Sequence, residues 1–107
     1  MGVMVIACYR PKPGRDDELL SLTKTHLPLL RSEGLVDDGP ALCGRAADGT
    51  IVEVFAWKSQ AAIEAAHTNA NVIALWDKYD ALCDFVTIND VAESKEMFSP
   101  FALVDLG

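Results

Sequence analysis

Two segments of this chain have no polar face, and they set the terms for the fold. Val3 to Arg10, read as a strand, puts Val3, Val5, Ala7 and Tyr9 on one side and Met4, Ile6 and Cys8 on the other. Thr50 to Trp57 does the same, with Val52, Val54 and Ala56 set against Ile51, Glu53, Phe55 and Trp57. Side chains alternate between the two faces of a strand. An antiparallel sheet with one solvated face normally alternates apolar and polar residues. A sheet built on these two strands therefore needs cover on both sides.

The intervening segments supply helices and turns. Pro11-Lys12-Pro13-Gly14 ends the first strand, since Pro cannot donate to a ladder. A helix from about Arg15 to Glu33 follows, with Asp16, Asp17 and Glu18 at its positive end. Leu19, Leu22, Thr23, His26, Leu27 and Leu30 form its buried stripe. Pro28 removes the hydrogen bond to the Lys24 carbonyl and predicts a kink, and Gly34 is a helix stop. Ala41 to Ala46 and Thr50 to Trp57 read as a hairpin joined by a two-residue Asp48-Gly49 turn, which needs positive φ at both positions. Ser59 caps a short helix from Gln60 to about His67. Asn69 or Asn71 caps a further helical segment to about Cys83, with Val72, Leu75, Trp76, Tyr79, Leu82 and Cys83 as its apolar stripe. Asp84 to Met97 reads as a crossing loop with some strand at its start, and Phe98 to Leu106 as the last strand. The order β-α-β-β-α-β predicts one α+β domain over residues 1–107, of the ferredoxin-like, split-βαβ kind. Its antiparallel sheet has four strands, with helices on one face. The other face is apolar and predicts a homodimer packed sheet against sheet.

At 107 residues there is room for one domain only. A net charge of -7 argues against nucleic acid or an anionic membrane surface as partner. No apolar run reaches the roughly 18 residues that span a bilayer, and Met1 to Arg10 has no signal-peptide pattern. Cys8, Cys43 and Cys83 are odd in number and widely spaced, which reads as buried thiols in a reducing compartment and predicts a cytoplasmic protein. There is no CxxC pair, His cluster or Gly-rich phosphate loop, so the expectation is no metal and no cofactor.

The run Glu53-Val54-Phe55-Ala56-Trp57-Lys58-Ser59, then Ala65-Ala66-His67, then Leu75-Trp76, resembles the antibiotic-biosynthesis-monooxygenase-like family of dimeric α/β barrels. The hairpin and the helix end Leu29-Leu30-Arg31-Ser32-Glu33-Gly34-Leu35 fit the same pattern, and the resemblance covers nearly the whole chain. Family members include cofactor-independent monooxygenases of polycyclic phenols and haem-degrading enzymes. The haem-degrading branch carries a proximal His where this chain has Trp76, and a Trp where it has Ala66. That branch also has an Asn on the first strand, where this chain offers only Cys8 and Tyr9. The resemblance thus implies a cofactor-independent monooxygenase acting on a small aromatic or quinone-like compound. In such chemistry the substrate phenolate supplies the electrons, and the protein supplies a base and a dry cavity. The alternatives are a non-catalytic small-ligand-binding or stress-response barrel, and a purely structural dimer.

The candidate site residues follow from side-chain chemistry. His67 is a general base or substrate donor, or else a helix-end His bound to terminal carbonyls. His26 lines a pocket, or sits in the core against a backbone carbonyl. Trp57 and Trp76 stack on a flat substrate or are core, and Tyr79, one turn beyond Trp76, shares its side. Phe55 shares a strand face with Glu53, which interrupts an apolar strand and must be paired or shifted in pKa if buried. Glu53 is a proton acceptor in a pocket, or lies at a subunit boundary paired with Arg10 or Arg45. The expected pocket lies between the helices and the sheet, walled by Trp76 and at least one of the two histidines.

Overall fold

The computed structural model describes residues 2–107. Strand β1 (Val3–Pro11) leads through a tight turn into helix α1 (Asp16–Ser32). The hairpin strands are β2 (Leu42–Arg45) and β3 (Ile51–Trp57). Two helices follow, α2 (Gln60–Ala66) and α3 (Ala70–Leu82), and then β4 (Cys83–Val86). Two short 3₁₀ turns lead to β5 (Ala102–Val104). The five strands form one open antiparallel sheet in the order β4-β1-β3-β2-β5.

The local signals act where they stand. Ser59 accepts from the Ala62 N–H at 3.1 Å, and Asn69 accepts from Asn71 and Val72, so each short helix has its orphan amides capped. Helix α1 runs unbroken through Pro28, which lies with Lys24 on the exposed side. Its buried residues are Leu19, Thr23, His26, Leu27 and Leu30.

Two expectations need correction. The sheet has five strands, not four. The strand expected at the start of the Asp84–Met97 stretch is present, but it begins one residue earlier, at Cys83 directly after α3, and is a full member of the sheet beside β1. The C-terminal strand is shorter than expected and adds a fifth member beside β2 at the opposite edge. Gly44 admits it: a Cβ there would lie 2.7 Å from the Phe101 Cβ. The hairpin turn is also one residue longer. The Ala46 N–H bonds the Thr50 carbonyl, the Gly49 N–H bonds the Ala46 carbonyl, and only Gly49 has positive φ, at 92°. This three-residue loop places its single left-handed residue at Gly, where the missing Cβ removes the strain.

All three helices cover one face of the sheet. Leu27, Leu30, Phe55, Trp57, Ala66 and Val72 pack together there, and beside them Tyr9, Leu19, Ile51, Leu75 and Tyr79. The other face is covered in part only, where Val91 packs on Cys8, Ala46 and Val52.

Candidate functional site

At the centre of the sheet, facing the helices, is a carboxylate. Glu53 sits on β3 between Ala7 of β1 and Cys43 of β2, and none of it is exposed. The pleat puts Tyr9 on the same face, two residues along β1, and its hydroxyl donates to Glu53 Oε1 at 2.8 Å. From above, the buried stripe of α1 brings His26 Nδ1 to within 2.8 Å of the same oxygen. From α3, the Trp76 indole N–H donates to His26 Nε2 at 3.3 Å. Two more rings close the site. Tyr79 lies 4.6 Å from Tyr9 and 5.5 Å from His26 between ring centroids, and Phe55 meets His26 edge-on at 5.7 Å.

The hydrogen bonds fix the histidine tautomer. An indole nitrogen only donates, so His26 Nε2 accepts, and the ring proton sits on Nδ1, donating to Glu53. The imidazole is thus neutral and oriented by a carboxylate. Its basic nitrogen points towards Trp76, the half-buried residue of the group. An imidazole held in this way is suited to accept a proton from whatever replaces the indole.

The surrounding acids are held neutral. Burial pushes the Tyr9 hydroxyl well above its ordinary pKa, and the Glu53 charge adds to the effect. Burial likewise raises Tyr79, and it raises the Cys43 thiol to about 11. Among the described residues, two buried side-chain polar atoms have no hydrogen-bond partner: Glu53 Oε2 and the Tyr79 hydroxyl. Thr23 neighbours Tyr79; its hydroxyl donates to the Leu19 carbonyl at 2.9 Å and keeps its lone pairs for acceptance.

Of the residues singled out in the sequence, the fold brings His26, Glu53, Trp76, Tyr79 and Phe55 into one cluster. His67 stands outside it. It caps the end of α2, is exposed, places Nδ1 2.8 Å from the Ile63 carbonyl, and packs its ring against Trp76 at 5.3 Å. Trp57 is buried one layer away, 5.5 Å from Phe55. Tyr9, which the sequence offers with Cys8 only as a stand-in for the first-strand Asn of the haem-degrading branch, joins the cluster from the inward face of β1. The site is closed, with His26 only 3% exposed. A groove of about 370 Å³ lies instead on the opposite sheet face, lined by Ile6, Leu42, Val54, Phe101 and Leu103 among others.

Among the described residues, no group of three or more His, Cys, Asp and Glu is placed to hold a metal ion. No described helix is long and apolar enough to cross a membrane. No known family, curated protein or solved structure matches the chain.

Proposed function

We propose that this protein is a cofactor-independent oxygenase of small hydroxylated aromatic compounds, with His26 as its base. The observation that carries this reading is the sealed Glu53–His26 pair, whose unprotonated imidazole nitrogen accepts only from a half-buried indole. A phenolic hydroxyl takes the place of the Trp76 N–H on Nε2 as the indole turns aside. His26 removes the phenolic proton, and Glu53 stabilises the imidazolium that results. The phenolate then supplies electrons to dioxygen. One oxygen atom bonds to a ring carbon, which loses its hydrogen. The second oxygen leaves as water with that hydrogen and the phenolic proton returned by His26. The ring is oxidised by four electrons to a quinone, and dioxygen is reduced by four.

The fold supports the same family reading. The partial order β4-β1-β3-β2, with α1 between β1 and β2 and two helices between β3 and β4, agrees with a ferredoxin-like half-barrel. On the open face Met4, Ile6, Leu42 and Leu103 are all exposed, Leu42 at 64% and Leu103 at 81%. A second copy of the chain, applied to this face by a two-fold axis, completes the barrel. The buried free thiols fit a cytoplasmic location.

Oxygen consumption against a panel of hydroxylated aromatics tests the reading. The wild-type chain is expected to consume dioxygen with at least one of them, and His26→Gln to lose that activity about 100-fold or more. Uptake that is unchanged in His26→Gln, or absent across the panel, overturns it.

A further inference from the structure

We infer that Tyr9 is a positioning residue for His26, acting through Glu53. The inference rests on the reading of His26 as the base. The terminal torsion of a glutamate is broad and roughly two-fold, so a carboxylate with one tie interchanges its oxygens easily. Glu53 has two ties, both on Oε1: Tyr9 from the sheet and His26 from α1, each at 2.8 Å. Oε2 is left with none. The carboxylate is therefore pinned from below by a phenol, and the imidazole orientation is inherited from that pin.

Tyr9 is built for this task. It lies on a central strand, and its ring is clamped between Tyr79 at 4.6 Å and Phe85 at 5.7 Å. Its hydroxyl keeps its proton, because burial and the Glu53 charge both oppose ionisation. It is a permanent donor. Tyr9 and His26 also compete for the same oxygen. A hydrogen bond from Tyr9 weakens the pull of Oε1 on the imidazole proton, so Tyr9 both fixes the geometry and shares the carboxylate charge with His26. The other groups facing the pair are Thr23 from α1, Cys43 from β2, and Trp76 and Tyr79 from α3. Among the described residues, His26 is the one basic group within ion-pair distance of Glu53.

The test is Tyr9→Phe, which deletes one oxygen atom. Its readout is the titration of the His26 ring nitrogens, followed by NMR without any substrate. The chain has only two histidines, so assignment is direct. The expected result is a His26 titration moved up by about one pH unit, a tenfold gain in proton affinity. For a substrate that is turned over, kcat falls about tenfold with KM little changed, and the acid limb of the pH profile moves the same way. In a Glu53→Gln background the Tyr9→Phe effect on His26 disappears. A His26 titration that is unmoved, moved down, or moved equally in the Glu53→Gln background overturns the inference. The wild-type spectrum is a second check that needs no variant: a neutral ring protonated on Nε2 overturns it as well. If the titration moves as expected but no compound is turned over, the positioning role stands and the oxygenase reading falls.

Discussion

Replacing His26 with Leu removes one partner of a sealed carboxylate and leaves the other in place. Glu53 then has Tyr9 as its only donor, with no exposure to water. Breaking a buried charge pair by removing one partner costs about 3–5 kcal/mol, and losing a hydrogen bond to a charged group about 1.5–3 kcal/mol. The geometry makes His26 a neutral donor, so the smaller figure applies. The Trp76 indole is half-buried and can turn towards water, which adds little. The expected loss is therefore about 2–3 kcal/mol, or about 10–20 °C in Tm for a domain of this size. The informative comparison is the double variant His26→Leu, Glu53→Leu. It removes the stranded charge and newly leaves the Tyr9 hydroxyl without a partner, while the Trp76 N–H can turn towards water. Replacing both members of a buried polar pair by apolar groups is close to neutral, so the double variant is expected to be more stable than His26→Leu alone. Urea unfolding of the wild-type chain, His26→Leu, Glu53→Leu and the double variant measures this. If the two substitutions simply add, or if the double variant is the least stable of the four, the reasoning about a stranded carboxylate is refuted.

Both tyrosines of the chain are buried with their hydroxyls pushed above the ordinary value of 10.0. The unfolded chain ionises near that pH while the folded chain keeps its protons. Stability is thus fully present below about pH 10 and falls above it, by up to about 1.4 kcal/mol per pH unit for each tyrosine. Phenolate absorbance is expected to rise only together with loss of the circular dichroism signal; a rise near pH 10 in the folded chain contradicts this. Cys8, Cys43 and Cys83 are all buried and free, so a thiol reagent is expected to label none in the native protein and three in denaturant. Rapid native labelling of any of them shows an opening that the structure does not contain. Light scattering is expected to give a mass twice the 11.6 kDa of one chain, and Leu42→Glu on the open face to give the monomer; a wild-type monomer refutes the barrel.

Much of this architecture is legible in the residues. The helical spacing of Leu19, Thr23, His26, Leu27 and Leu30 places His26 against the sheet, and Ser59 and Asn69 announce the helices that they cap. Glu53 is conspicuous as the one charge on an aromatic strand face. Phe85 and Val86 have strand composition, but the start of that strand is not legible, because Cys83 continues the apolar stripe of α3 and only pairing with β1 makes Cys83–Val86 one strand. The length of the hairpin loop depends on whether Asp48 as well as Gly49 adopts left-handed backbone, and Asp-Gly alone does not decide that. The part of Tyr9 depends on register. Ala7 opposite Glu53 puts Tyr9 two residues away on the same face, and no single-strand pattern contains that information. The link from Trp76 to His26 joins two helices through residues 50 apart in sequence and exists only in the packed molecule.

The central claim is that a substrate hydroxyl takes the place of Trp76 on His26 Nε2. A crystal structure of the protein with a hydroxylated aromatic from the oxygen-uptake panel tests it most directly. The expected structure has the phenolic oxygen about 3 Å from His26 Nε2, Nδ1 still on Glu53, and the indole of Trp76 turned away. A complex in which the Trp76 N–H still bonds Nε2, with the compound bound elsewhere on the chain, contradicts the account.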